Sequence, residues 1–154
     1  MLRRLRFSDV SNSARQVWAK SGEQGGHGLL AHLLDVAAVV ETRLLIEPES
    51  TRTWAARSFG LEAACVCRWV AAVAGLHDFG KAIPGFQAKW PEGMQADLAQ
   101  GLTFPPSACA RDRHDLGTAA LLGRSLHGLA AVEAGWLRHA VQAVSAHHGY
   151  HFLP

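Results

Sequence analysis

Between Leu61 and His77 the chain is apolar on nearly every side of a helix, through Ala, Val, Cys, Trp and Leu, and it closes on the dipeptide His77-Asp78. A helix without a polar face has to be surrounded by other elements, so this segment is predicted to run through the centre of a domain. It carries a histidine and a carboxylate inward at its end. The fold must therefore satisfy both, because a buried polar group left without a partner costs about 1–3 kcal/mol.

The rest of the chain reads as helical too, giving an all-α bundle. Leu29–Ile46 places apolar residues at 29, 33, 36, 37, 40 and 44, one broad helical face, with Gly25-Gly26 before it and Pro48 after it. A turn or two is expected at Thr51–Ser58. Further helices are expected at about 114–126 and 131–147, the last ended by Gly149. Gly80 is expected to close the central helix in the left-handed conformation. Residues 83–90 read as a loop entering a short helix, and 101–113, with Pro105-Pro106, as an exposed loop holding Cys109. Alternating strand character is confined to residues 2–7.

The 154 residues, 49% apolar and 18% charged, suit one globular domain rather than a disordered chain. No apolar run approaches the ~20 residues that span a bilayer, so no membrane association is expected. The basic N-terminus lacks the apolar stretch of a secretory signal, and the expected location is cytoplasmic. Cys65, Cys67 and Cys109 are too few and too scattered for a disulfide framework and read as ordinary thiols. Net charge is +2, with five basic and two acidic residues among the first 24, either a phosphate-touching tail or a solvated arm.

The nine histidines carry more information. Five fall in four short contexts: His32 in HLLD, His77 in LHDFGK, His114 in RHD, and His147-His148 in AHHG. His32 shares the apolar face of its helix with Leu29, Val36 and Val40, so it points inward. A lone inward histidine is more often a hydrogen-bonded core residue than a ligand. The adjacent pair His77-Asp78 shifts that balance, because a neutral nitrogen and a carboxylate side by side can reach one ion, and the two oxygens of Asp78 can bridge two. Imidazole and carboxylate without thiolate suit Mn, Fe, Co, Ni or Zn, and paired ions are a device for phosphodiester cleavage. Asp35, at i+3 from His32, is read as orienting that ring or making a local contact. His27 reads as structural or else as lining the mouth of the site, His127, His139 and His151 as surface or loop residues, and the five tryptophans as core or rim anchors, with base stacking the other reading of Trp90.

The order His, His-Asp, His, His-His resembles the HD nuclease domain of the CRISPR-associated helicase-nuclease of type I systems. Val17-Trp18-Ala19-Lys20 followed by HLLDVAAV, LHDFGKA followed by Phe86-Gln87 and Lys89-Trp90, Arg113-His114, and His147-His148-Gly149 carry the likeness over about residues 17–151. The resemblance implies an HD-domain helical bundle and two divalent metal ions. His32, His77 and Asp78 would hold the first ion, and Asp78, His114, His147 and His148 the second. Asp78 is then a catalytic bridge. Lys81 is a point charge or proton donor at the scissile phosphate, or otherwise a solvated helix-end lysine. Implied partners are single-stranded DNA, a helicase portion in cis or trans, and a CRISPR surveillance complex. The family also places an aspartate on a helix well beyond His148, which has no counterpart before Pro154. The bundle, taken as one domain over 1–154, is therefore expected to be incomplete at the C-terminus, with apolar surface of the central helix uncovered, the first metal site a ligand short and nuclease activity of this chain alone weak or absent. An HD-superfamily nucleotide phosphohydrolase and a non-catalytic docking scaffold are the rival readings.

Overall fold

The computed structural model, which describes residues 7–23, 25–129 and 135–149, is a helical bundle carrying one short β-hairpin. A short helix α1 (Asn12–Gln16) leads into β1 (Trp18–Gly22) and β2 (Gly25–Gly28), which pair antiparallel. Then come α2 (Leu29–Ile46), α3 (Glu49–Phe59) and α4 (Ala63–Gly75), and a 3-10 segment, Leu76–Ala82. Short helices α5 (Pro84–Gln87), α6 (Pro91–Ala99) and α7 (Pro106–Cys109) precede α8 (His114–Leu129), α9 (Gly135–Ser145) and a final 3-10 turn, Ala146–His148.

The all-α expectation holds with this hairpin added. Its strands, WAKSG and GGHG, lack the β-branched alternation that announces a strand. They form because Trp18 is buried and its backbone is clamped by Gln87, whose Oε1 accepts from Trp18 N at 3.0 Å and whose Nε2 donates to Trp18 O at 2.8 Å. Gly25, at φ 114°, makes the turn that other residues resist. The strand expected at 2–7 falls almost wholly outside the described residues, as does 130–134 between α8 and α9.

Three helix boundaries differ instructively. Residues 101–113 are not all loop, because Pro105 and Pro106 start α7, which ends on Cys109. The central helix stays α-helical only to Gly75 and then tightens into 3-10 geometry. Gly80 is not left-handed; the positive-φ glycines are 25, 60, 101 and 149. What Gly80 supplies is absence of bulk, since a Cβ there would collide with the backbone of His114 and Thr118 on α8.

Nor is α4 buried on all sides. Val66, Cys67, Ala71 and Gly75 face inward while Ala64, Cys65, Arg68 and Ala72 are exposed. Small apolar residues sit at the surface at little cost, so composition overstated its burial. Gly75 lets α4 approach α2, where an added Cβ would stand 2.9 Å from Ala37 Cβ and Leu33 O. One core cluster joins α3 to α4 through Ala55, Ala56, Val66 and Cys67. The other, Leu122, Leu137, Val141 and Val144, joins α8 to α9 beneath Leu76 and Phe79. Trp54, read as an anchor, is instead 68% exposed. Among the described residues, no single helix is long and apolar enough to cross a membrane.

Candidate metal centre

Asp78 sits on the 3-10 segment between the two core clusters, its side chain 7% exposed. Its Oδ2 lies 3.0 Å from His32 Nε2, 3.2 Å from His77 Nε2 and 2.8 Å from Lys81 Nζ. Its Oδ1 lies 3.2 Å from His114 Nε2 and 3.3 Å from His147 Nε2. His148 Nε2 stands 2.9 Å from His114 Nε2. Four separate elements supply these groups: α2, the 3-10 segment, the first residue of α8, and the turn after α9. The tightened helix explains Lys81, because side chains at i and i+3 eclipse in 3-10 geometry and the ammonium lies over the carboxylate. Burial alone would raise the Asp78 pKa. The Lys81 hydrogen bond and the charges of His77, Lys81 and His114 outweigh it and hold the carboxyl at about 2. Burial pushes His114 down, against the pull of Asp78 and with Lys81, His148 and His147 adding to the fall.

The surroundings fix these groups. Thr118, fully buried on α8, accepts from Gly80 N at 2.8 Å and donates to His77 O at 3.1 Å. That bolts the 3-10 segment to the helix that bears His114. Gln87 Nε2 also donates to Lys81 O at 2.7 Å, and Lys81 Nζ donates to Ala19 O at 3.1 Å. The Phe86 ring packs edge-on to the His114 imidazole at 5.2 Å. An apolar groove of about 510 Å³ runs along α4 and α9, from Phe59 and Trp69 to His77 and His147.

The donor chemistry fits a cation. His147 Nδ1 donates to Val144 O at 2.9 Å, so in the neutral ring Nε2 turns its lone pair on Asp78 Oδ1. His114 Nε2 faces both that same oxygen and His148 Nε2, and one hydrogen cannot serve both contacts. Lone pair against lone pair is repulsive unless a positive charge lies between. Two donors each about 2.1 Å from one ion stand about 3.0–3.4 Å apart at octahedral or tetrahedral angles, which spans the observed 3.0–3.3 Å separations. The donors fall into two sets, Asp78, His114, His147 and His148, and His32, His77 and Asp78, each with its ligand atoms within 4.8 Å of one another. No thiolate belongs to either.

All six residues singled out as metal ligands thus gather at one place, with Lys81. Lys81 is not the solvated helix-end lysine of the alternative reading, because it is buried on Asp78 and Ala19 O. Asp35 does not orient His32; its Oδ2 meets His27 Nε2 at 3.1 Å instead. A spacing of i+3 made contact with His32 available, but the hairpin brings His27 nearer. Trp90 packs edge-on to Trp18 at 5.7 Å. His139 is exposed but lines the groove beside His147; the side chain of His127 and all of His151 lie outside the described residues. Thr118 and Gln87 were missed as supporting residues. Thr118 stands one helical turn after His114, a signal of shared face visible in the sequence. The clamp made by Gln87 has no local signal.

A bundle that gathers His, His-Asp, His and His-His around one buried carboxylate is an HD-type domain. The chain belongs to the Cas3 HD-domain family, whose model matches residues 18–153. It is 47% identical over 95 residues to the CRISPR-associated endonuclease/helicase Cas3 of Thermus thermophilus, a match covering 62% of this chain and 10% of that protein. A crystal structure of a CRISPR-associated protein superposes with a TM-score of 0.81 at 30% identity, covering 93% of this chain and 17% of the other. The Thermus thermophilus Cas3 HD domain, crystallised in the presence of Ni2+, superposes with a TM-score of 0.65 at 35% identity, covering 93% of this chain and 52% of the other. The chain therefore spans a small part of its full-length relative.

Proposed function

We propose that this chain is the nuclease module of a CRISPR interference machine, cutting single-stranded DNA with two divalent ions. A helicase portion, in cis or trans, and a surveillance complex would expose the strand, and the work would take place in the cytoplasm. The observation that carries the reading is the pair of donor sets sharing Asp78. His32, His77 and Asp78 would hold one ion, and Asp78, His114, His147 and His148 the other, with Mn, Fe, Co, Ni and Zn the candidates. Paired ions supply charge to neutralise a phosphodiester and to lower the pKa of the attacking water. The chain's own part is rigidity: Lys81 holds the carboxylate in place, Val144 O selects the His147 tautomer, and Thr118 keeps His77 and His114 in register. Lys81 also keeps a positive charge beside the place of reaction.

The test compares the protein with its Asp78→Ala variant for metal content after soaking and dialysis. Cleavage is then measured on single-stranded DNA, nucleoside monophosphates and triphosphates with each metal. Metal lost in the variant, with cleavage of the DNA alone, is the expected result. Equal metal content removes Asp78 as a ligand. Turnover of free nucleotides in place of DNA moves the chain to the nucleotide phosphohydrolases, and no turnover of any kind, even with the helicase portion supplied, favours a scaffold.

A further inference from the structure

Beside the metal centre, the hairpin and α2 enclose a cleft of about 340 Å³, of whose lining only His32 belongs to the donor sets. Lys20, His27, His32 and Asp35 line it, with Val36 and Val39 as an apolar wall. His32 belongs both to this cleft and to the contacts of Asp78, so the two sites are continuous. Lys20 and His27 face one another across the hairpin, and directly opposed residues present their side chains on one face of an antiparallel pair. The register skips Ala19. Such a bulge re-aims neighbouring side chains: Ala19 is buried, its carbonyl takes Lys81, and Lys20 emerges toward the cleft.

The charges there are arranged unevenly. The chain has three lysines, and Lys81 and Lys89 are paired with Asp78 and Asp112. The Lys20 ammonium has no ion pair or hydrogen bond to any described residue. Asp35, the carboxylate of the cleft, is engaged by His27 at 3.1 Å, and the His27 ring stands edge-on to His32 at 6.1 Å. His27 thus occupies the acid that would otherwise oppose an anion at this place.

We infer that this cleft is a phosphate subsite for the polynucleotide strand, in which Lys20 takes a backbone phosphate flanking the scissile one and His27 keeps Asp35 engaged. The inference rests on the nuclease reading and deepens it. A lysine suits the role as a mobile point charge that reads no sequence. It also predicts effects of opposite sign from two walls of one cleft. Removing the cation weakens binding, and neutralising the acid strengthens it, whereas structural damage would weaken both.

The experiment reads fluorescence anisotropy of a labelled oligothymidylate of about ten nucleotides. The protein is kept in EDTA so that the strand stays intact, and salt is varied from about 50 to 300 mM. Lys20→Met is expected to weaken binding about two- to fivefold, the strength of an exposed charge pair. It should also make the slope of log K against log salt shallower by about 0.7, the release from one single-strand phosphate. Lys20→Arg keeps the slope, and Asp35→Asn tightens binding by about twofold. Nickel content after loading stays at the parent value in all three variants. An unchanged slope in Lys20→Met, or weakened binding in Asp35→Asn, overturns the subsite while leaving the nuclease reading intact. Failure of the parent protein to bind the oligonucleotide at any salt also overturns the subsite, whereas the nuclease reading falls only if the metal-loaded protein fails to cleave single-stranded DNA.

Discussion

Thr118→Val is the most direct probe of how α8 holds the candidate metal centre. The substitution keeps shape and volume but deletes a fully buried hydroxyl that bonds Gly80 N at 2.8 Å and His77 O at 3.1 Å. Gly80 N and His77 O each lose that partner when the hydroxyl goes. About 1–3 kcal/mol of stability is expected to go. For a chain of this size each kcal/mol shifts Tm by roughly 2–4 °C, so a fall of about 2–12 °C should be seen by circular dichroism in EDTA. Thr118→Ser keeps both bonds and loses one methyl, so it should stay within about 1 kcal/mol of the parent. The second readout is nickel affinity by calorimetry. Residues that orient metal ligands typically contribute 10–100-fold, and Thr118→Val should fall about that far while Thr118→Ser does not. Equal stability and equal nickel affinity in Val and Ser variants would refute the idea that this hydroxyl registers the 3-10 segment on α8.

Two further outcomes are expected. Asp97 on α6 is fully buried, neither oxygen is hydrogen-bonded among the described residues, and burial raises its pKa. A raised folded-state pKa gives stability that is full below the unfolded value of 3.8 and lost as pH rises through the folded one. Asp97→Asn does not titrate, so its urea midpoint relative to the parent should rise between about pH 4 and pH 7; a pH-independent difference would contradict this. The paired variant His147→Ala/His148→Ala removes two of the four donors in one set and none from the other. Elemental analysis should show one ion lost per chain and one retained, and loss of both would show that the sets do not bind separately.

The sequence by itself determined the helical class and the inward course of His32, because both follow from the spacing of apolar residues along one helix. It also determined the motif order, down to the adjacent His77-Asp78 and His147-His148 pairs, since neighbours in a chain cannot be far apart in space. Tertiary structure alone decided that residues from α2, the 3-10 segment, α8 and the turn after α9 meet on one carboxylate. Those contacts span separations such as the 46 residues from His32 to Asp78, and no local pattern encodes them. The partner of Asp35 was settled in the same way, because helical spacing offered His32 while an unforeseen hairpin delivered His27. Gly80 makes the physical reason plainest. A glycine ending an apolar run reads locally as a left-handed cap, yet here it is required by the backbone of α8 passing where a Cβ would stand.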